Sequence, residues 1–263
     1  MKLPIGVVGS ITPWNFPSST VARKLAPALI TGNAVVTKPS SNTPLSTIEL
    51  VKLAEKADLP KGVLNVVTGS GGEVGEELVT NNDVGLITLT GSTEAGRQIM
   101  KSASNHLARL LLELGGKAPL IIWRDADLDW ALKCAIWARF WNNGQTCIAA
   151  ERMYVDADIK DKFLPAFVNA AKNLKIGDPT AAQTDLGPMV SEDERKTSEK
   201  FIQESIDEKD KIIIGGSPPA GMSKGYFLAP TVIEVQDQRS PLIQEEIFGP
   251  VVPVMEVEDF ERA

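Results

Sequence analysis

Two cysteines are present among the 263 residues, and one of them stands where a nucleophile would be useful. Cys147 ends the polar run NNGQTC at 142–147, between the apolar segments AIWARFW and IAA. Glycine gives such a run backbone freedom, and amide side chains and N–H groups stabilise a thiolate or the oxyanion that follows its attack. The alternative is a half-buried loop cysteine. The pattern favours a nucleophile at Cys147, whereas Cys134 in ALKCAIWA is interpreted as a small buried apolar residue of a helix.

The side chains that would assist a cysteine nucleophile are few. His106 is the single histidine of the sequence, and we favour a surface residue at a helix end over a base in a Cys–His hydrolase. Glu113 stands among leucines and glycines in LELGGK at 112–117. Burial there would raise its pKa and suit a general base near neutral pH; the alternatives are a carboxylate that points to water or pairs with Lys117. Histidine and cysteine are too scarce for a clustered zinc site, so no metal is predicted.

Two motifs follow predicted strands and offer polar groups. In ITPWNFP at 11–17, two prolines stiffen the turn that carries Asn15. Its carboxamide N–H₂ would stabilise an oxyanion, and a rigid loop around a buried aromatic residue is an equal alternative. In TKPSS at 37–41, Lys38 ends a strand. A lysine there is usually a solvated charge, but in a cofactor site it would reach ribose or phosphate.

Glycine-rich turns give weaker signals. GSGGEVG at 69–75 and GSTEAG at 91–96 both depart from the strict dinucleotide fingerprint, and either one is also explained as the start of a helix. The second follows a predicted strand and opens a helix, so its N–H groups would face an anion. In QEEIFGP at 244–250, Glu246 and Phe248 share one side of an extended chain. The alternative for that segment is a surface turn with an anchoring phenylalanine.

The elements that must position these residues alternate regularly in the first half of the chain. Apolar strand-like runs and amphipathic helices follow one another, including a helix over 43–59 with Thr43 as a possible N-cap. This rhythm predicts a parallel sheet with helices on both faces, whose strands end at one edge. The rhythm changes near a glycine pair, which predicts an α/β protein with domains at 1–115 and 116–263.

Composition limits the partners and the compartment. The apolar and charged fractions, 43% and 23%, are ordinary for a globular protein. The net charge is −7 with acids and bases mixed, so neither nucleic acid nor an anionic membrane is an expected partner. Apolar runs are interrupted by charge, and the start of the sequence does not resemble a signal peptide. A cytoplasmic location is therefore expected.

Taken together, six motifs resemble the aldehyde dehydrogenase superfamily. PWNFP, TKPSS, GSTEAG, LELGGKAP, NNGQTC and EEIFGP occur in that family's order and near its spacing over 11–250. The runs KLAPALITGN and LPKGVLNVV read most like its lactaldehyde and succinate-semialdehyde branches. The resemblance implies a Rossmann-like cofactor domain followed by a second α/β catalytic domain. It also implies oxidation of a small aldehyde to the acid with NAD or NADP, without a metal.

The resemblance assigns roles by position. Cys147 matches the nucleophile, Asn15 the oxyanion donor together with the Cys147 N–H, and Glu113 the base that activates water. A glutamate at that place is typical of the hydrolytic enzymes, whereas the CoA-acylating ones typically lack it. Lys38 matches the lysine at the adenine ribose. Glu246 matches the carboxylate at the nicotinamide ribose. The other cofactor contacts that the resemblance implies are Trp14, Ser40, Ser41, Gly91, Ser92, Leu114 and Phe248.

Two departures from the family pattern change the expectation. NAD-preferring members often carry a glutamate where this chain has Ser41, so we expect NADP to be accepted and even preferred. Family members are also longer at both ends, and this chain resembles their central portion, without the segments through which they form homo-oligomers. The alternative function is therefore a fragment that is inactive or only partly active.

Overall fold

The computed structural model describes residues 2–222, 224–261 and 263. The chain divides into two compact units, the first ending at Gly115 and the second beginning at Gly116. Each unit is built around a five-stranded sheet of its own in the described part of the chain. None of the described helices is both long and apolar enough to cross a membrane.

Strands and helices alternate along the described part of the first unit. In chain order they are β1 Val7–Ile11, α1 Pro17–Ile30, β2 Ala34–Lys38, α2 Leu45–Lys56, β3 Leu64–Val66, α3 Glu76–Thr80, β4 Val84–Thr90, α4 Thr93–Ala103 and β5 Arg109–Glu113. A single π-type turn, Gly71–Gly75, precedes α3. The predicted alternation of strands and helices is confirmed.

The first sheet is parallel throughout, with strand order β3-β2-β1-β4-β5. The chain runs outward from β1 to β3 and then returns to the other side of β1 to form β4. Ligands of open parallel sheets bind at such a reversal, beyond the carboxyl ends of the strands. The loops that leave β1 and β4 therefore flank the place where a cofactor is expected.

Apolar side chains fix both faces of this sheet. On α1, Val21 and Leu25 pack against Val8 and Val35, and all four are buried. A second cluster, which includes Ile87, joins the sheet to α3 and α4. Burial of such branched side chains contributes roughly 1.5–3 kcal/mol each, so the strand ends are held on a rigid base.

Thr43 does not cap α2 as the sequence suggested. Pro44 holds the position before the helix, and no side chain caps the helix there. The Thr43 hydroxyl donates instead to the Trp14 carbonyl at 3.2 Å. The loop after β2 is thereby tied to the PWNFP turn, which makes Thr43 a support for the candidate site and not a helix cap.

In the second unit strands and helices alternate less regularly than in the first. Over its described residues they are β6 Pro119–Ile122, α5 Leu128–Phe140, β7 Arg152–Asp156, α6 Ala157–Lys172, α7 Glu192–Asp207, β8 Lys211–Ile214, β9 Thr231–Glu234, α8 Pro241–Gln244 and β10 Val251–Val257. The strand order is β6-β7-β10-β9-β8, with β8 antiparallel to β9 and the other neighbours parallel. Asp127 caps α5 by accepting from the Asp129 and Trp130 amides. A core that includes Phe140, Phe163 and Phe167 joins α5 and α6 to the sheet.

Candidate active site

Asn15 and Trp14 lie in the loop that leaves β1, and both are half-buried. The loop is short because Pro17 begins α1 directly after it. Proline suits the first turn of a helix, where its missing N–H removes no bond. The Thr43 contact to the Trp14 carbonyl fixes the loop from the other side. The carboxamide is thus carried by a stiff turn at the carboxyl edge of the sheet.

Lys38 is buried, so its interpretation as a solvated charge is wrong. Only 4% of the residue is exposed, and Nζ donates to the Pro39 carbonyl at 3.0 Å. Burial lowers the pKa of this amine. No described carboxylate forms an ion pair with it. An amine placed at a strand end with a neutral acceptor suits a hydroxyl or phosphate oxygen of a ligand.

Ser40 and Ser41 continue from Lys38 and are tied to neighbouring loops. The Ser40 hydroxyl accepts from the Asn42 amide at 3.3 Å. The Ser41 hydroxyl donates to the Gly69 carbonyl at 3.1 Å, which joins the TKPSS segment to the glycine-rich run. Ser41 is exposed, so a larger substituent on a ligand can approach it.

Gly91, Ser92 and Leu114 lie where β4 and β5 end. The Ser92 hydroxyl caps α4 by accepting from the Ala95 amide at 3.2 Å. The Gly91 N–H donates to the Glu113 carbonyl at 3.1 Å, so this amide is satisfied within the protein and does not face an anion as we expected. Leu114 packs onto α4 where Gly96 stands, since a Cβ at Gly96 would lie 2.7 Å from its Cδ2.

Glu113 is exposed at the end of β5, and the apolar burial expected around it is not found. Alternate residues of this edge strand face solvent, so the leucines beside Glu113 in sequence do not enclose it. Lys117 is not its partner either, because that amine binds Glu151. Water reaches the carboxylate directly, which a base that activates water requires.

Lys24 is a nearby cation that the sequence analysis missed. It lies on α1, and its Nζ donates to the Thr88 hydroxyl at 2.8 Å. Burial lowers the pKa of Lys24 to about 8, and the Glu113 carboxylate acts in the opposite direction. A charged residue on the helix face that also carries the buried Val21 and Leu25 was the available signal.

His106 lies at the amino ends of the strands of the first sheet, away from the carboxyl ends where the candidate residues stand. It follows α4 in a turn, with its backbone N–H donating to the Ala103 carbonyl at 3.4 Å, and it precedes β5. Asn15 and Glu113, by contrast, lie at or just beyond the carboxyl ends of their strands. Its placement at a helix end agrees with the interpretation that we favoured, but a surface position does not, because both ring nitrogens are buried and make no hydrogen bond within the described part of the chain.

The Cys147 loop is built from an unusual backbone. Asn142, Asn143 and Gly144 all have positive φ, at 52°, 59° and 69°. Such conformations cost energy in residues other than glycine and persist only where surrounding contacts enforce them. A Cβ at Gly144 would clash with the Gly249 carbonyl and lie 3.0 Å from the Arg139 carbonyl. The turn reverses the chain after α5 and leaves Cys147 exposed.

Side-chain amides hold this loop in place. Asn143 donates to the carbonyls of Gly187 and Pro188 at 3.0 and 3.3 Å. The Gln145 side-chain N–H₂ donates to the Asn142 backbone carbonyl at 3.0 Å, and the Gln145 side-chain carbonyl accepts from the Val190 backbone amide at 3.0 Å. From their sequence position, these amides were expected to stabilise a thiolate. In the structure they shape the loop that presents it.

Glu246 and Cys147 both approach Gly116. The Gly116 N–H donates to Glu246 Oε1 at 3.2 Å. The Cys147 carbonyl oxygen lies 3.4 Å from the place of a Cβ at Gly116. Burial raises the pKa of Glu246, while the Gly116 hydrogen bond opposes that shift. Phe248 follows half-buried in the same turn. The structure thus brings together three residues that are distant in sequence.

Two buried ions beneath this arrangement were missed from sequence. Arg139 and Glu151 are each 0% exposed, and Arg139 Nη1 donates to Glu151 Oε1 at 2.8 Å. Lys117 donates to Glu151 Oε2 at 3.0 Å, and burial lowers the pKa of Lys117 to about 8. An arginine in the last turn of a helix is normally interpreted as a dipole partner. Its position within the aromatic run IWARFW was the signal for burial.

The comparison with protein families decides the membership of the chain. The model described as "Aldehyde dehydrogenase family" matches residues 1–263. The chain belongs to the aldehyde dehydrogenase family. The resemblance that rested on six short motifs is confirmed over the whole sequence.

Similar enzymes and structures agree with this membership. The D-glyceraldehyde dehydrogenase (NADP(+)) of Picrophilus torridus is 50% identical over 254 residues, which cover 95% of this chain and 51% of that protein. The enzyme of the same name from Thermoplasma acidophilum is 49% identical over 264 residues, covering 99% and 53%. A 3,6-anhydro-L-galactose dehydrogenase in complex with NAP superposes with a TM-score of 0.96 at 43% identity, covering 99% of this chain and 55% of that chain. This likeness confirms the predicted α/β fold. The chain spans about half the length of the curated relatives it matches.

Proposed function

We propose that this chain carries the cofactor-binding and nucleophile segments of an NAD(P)-dependent aldehyde dehydrogenase that oxidises a small aldehyde to its acid. The observation that carries the proposal is the exposed Cys147 on a loop of enforced left-handed backbone, with Glu246 hydrogen-bonded to the adjoining Gly116. A structural cysteine has no need of such a presentation, because buried cysteines act as small apolar residues.

The chemistry of Cys147 proceeds in two stages in this proposal. The thiolate attacks the aldehyde carbon, and Asn15 and the Cys147 N–H stabilise the resulting oxyanion. A nicotinamide cofactor, when bound, would supply the hydride acceptor, and loss of hydride from the carbon held by Cys147 would leave a thioester on that residue. Glu113 then removes a proton from water, which attacks the thioester, releases the acid and returns the thiol. The exposure of Glu113 supports this last role.

The first sheet fits a dinucleotide. Its carboxyl edge has the order reversal at which such ligands bind, and Lys38 presents a buried amine there. Lys38 and Ser41 would hold the adenosine end, with Ser40 beside them. Trp14, Gly91, Ser92 and Leu114 would line the path to the nicotinamide, which Glu246 and Phe248 would contact. Within the first unit the Thr43 hydroxyl is bonded to the Trp14 carbonyl and the Ser41 hydroxyl to the Gly69 carbonyl, which holds the loops of this edge in place.

Ser41 supports NADP as an accepted cofactor. A glutamate there would repel a 2′-phosphate, whereas an uncharged serine would not. The similar enzymes from P. torridus and T. acidophilum are named as NADP-dependent and as acting on D-glyceraldehyde. We therefore propose a small hydroxyaldehyde as substrate. A reducing compartment such as the cytoplasm would keep the exposed thiol available.

The decisive experiment measures cofactor reduction by the purified chain with D-glyceraldehyde, using NAD and NADP in turn. We expect aldehyde-dependent reduction that falls at least about a thousandfold in Cys147→Ala. Cys134→Ala is the matched control and should retain the parent rate. Reduction that survives Cys147→Ala would remove the nucleophile assignment. An inactive parent chain would favour the alternative of a fragment that keeps the motifs without turnover.

A further inference from the structure

Arg139 and Glu151 flank the nucleophile in sequence and lie fully buried beside its loop. Arg139 lies in the last turn of α5, and Glu151 precedes β7. Their ion pair measures 2.8 Å between Nη1 and Oε1. Two buried charges are costly to desolvate, and hydrophobic residues of similar size often stabilise a fold as well or better. Stability alone is therefore a weak reason for this pair.

The guanidinium of Arg139 grips the turn that carries Phe248. Its Nη2 donates to the carbonyl of Ile247 at 2.8 Å and also to the carbonyl of Gly249. These two carbonyls lie on either side of Phe248 in the chain. At the other end of the guanidinium, Nη1 donates to the Ala150 carbonyl at 3.3 Å, close to Cys147 in the chain. One planar group thus spans the nucleophile loop and the 245–250 turn.

Glu151 closes the same connection. Its Oε2 accepts from the Ile247 N–H at 2.8 Å and from Lys117 Nζ at 3.0 Å. Lys117 follows Gly116, whose N–H holds Glu246. The pair therefore joins three segments that are far apart in sequence. Methionine or leucine could fill the space but could not bind these backbone groups.

We propose that Arg139 and Glu151 are positioning residues that hold the Glu246–Phe248 turn in register with the Cys147 loop, and so align the nicotinamide with the carbon bound to Cys147. This inference rests on the proposed function. The pair touches no reacting atom. Its effect should appear in the hydride step, in which the carbon on Cys147 loses a hydride and its oxyanion becomes the thioester carbonyl, while thioester hydrolysis should be affected less.

The first test needs neither cofactor nor activity. Backbone hydrogen exchange is measured on the purified chain and on Arg139→Met. We expect exchange in 245–250 and 142–151 to accelerate at least about tenfold, with little change in α6. Lys160→Met is the matched control, because it removes a cation paired with Glu234 and Glu256 and should leave both segments unchanged. Unchanged exchange in 245–250 of Arg139→Met would overturn the proposal.

A second test separates positioning from folding. In the double variant Arg139→Met/Glu151→Met neither half of the ion pair remains, so the thermal unfolding midpoint should lie above that of Arg139→Met. Lys117 also loses its carboxylate partner there, and burial then favours the neutral form of this amine. Aldehyde oxidation should stay reduced at least about tenfold, with a larger isotope effect from C1-deuterated aldehyde. Hydrolysis of an activated ester, which acylates Cys147 without hydride transfer, should fall less than aldehyde oxidation. Restored oxidation, or equal losses with no change in isotope effect, would show that the pair is merely structural.

The two proposals fail in different ways. If the parent chain reduces no cofactor, the proposed function fails, and hydrogen exchange alone decides whether the pair holds the turn. If the parent oxidises aldehyde through Cys147 but the double variant recovers full activity, the proposed function stands and the positioning role is wrong. Arg139→Lys provides a rescue measurement, because its ammonium binds fewer of the carbonyls and should restore only part of the rate.

Discussion

The two units position their candidate residues by different means. In the first, Asn15, Lys38 and Glu113 stand at the ends of parallel strands or just beyond them, so sheet topology places them at one edge. In the second, Cys147 depends on left-handed backbone and on the buried pair of Arg139 and Glu151. The first arrangement should tolerate changes in its side chains with little effect on folding. In the second, single substitutions at the residues that support the Cys147 loop should lower stability and activity together.

Asn15→Ala should have the largest effect on rate in the first unit. Loss of one oxyanion donor typically costs about a hundredfold to a thousandfold in kcat. Because the strand ends are held by the sheet, the thermal unfolding midpoint should change little. Asn42→Ala, at an exposed asparagine of the loop after β2, is the control and should keep the parent kcat. Steady-state kinetics and thermal unfolding of both variants decide this. If the thermal unfolding midpoint of Asn15→Ala falls along with its kcat, the claim that the sheet holds this site independently of its side chains is wrong.

Gly144→Ala should destabilise the second unit by about 2–3 kcal/mol. The new Cβ would require positive φ and would clash with the Gly249 carbonyl, which Arg139 also binds. Urea unfolding measures the loss. Gly72→Ala is the same change where a Cβ meets no atom within 4 Å, and it should be neutral or slightly stabilising. Equal stability of the two variants would mean that the surrounding contacts do not enforce the left-handed backbone of the nucleophile loop.

Ser41→Glu should change cofactor choice without changing the fold. A carboxylate at this exposed position would repel a 2′-phosphate, and solvent screening limits the loss of NADP affinity to about tenfold. Affinity for NAD should be less affected. Ser41→Gln adds similar bulk without charge and separates the two causes. Equal losses for Glu and Gln would show that size decides the preference, and no loss for either would remove Ser41 from the cofactor site.

Lys24 should give the smallest effect, a dependence of stability on pH. Its pKa is about 8 in the folded protein, below the ordinary lysine value of 10.5. Between these values the unfolded chain binds more protons, so the free energy of unfolding should rise with pH. The free energy of unfolding of the parent minus that of Lys24→Met should therefore rise from about pH 8 to 10 and then level off. Chemical denaturation at several pH values measures it, and a flat difference would exclude the buried amine.

Sequence allowed most of the first unit to be predicted. The strands, the helices and their parallel order follow from local periodicity, and short motifs at strand ends marked the residues there. Thr43 and Glu113 were misjudged for a common reason. Whether a hydroxyl caps a helix, or a carboxylate is enclosed, depends on neighbours from other parts of the chain.

The second unit was harder to predict. NNGQTC marked its own loop, but Arg139 binds Ile247 and Gly249, which lie more than a hundred positions away. A pattern of local apolar and polar residues contains no information about such a pairing. The pairing becomes visible in the structure because Arg139 is fully buried, and an arginine with no exposed surface must find its acceptors inside the protein.

The most direct test of the central claim is mass spectrometry of Glu113→Gln after mixing with D-glyceraldehyde and NADP. With its base removed, the thioester should form once and persist. We expect a burst of reduced cofactor close to one equivalent per chain, then turnover at least about a hundredfold slower than the parent. The peptide that contains Cys147 should gain the mass of one glyceroyl group. Steady turnover at the parent rate, or an unmodified Cys147 peptide after the burst, would contradict that claim.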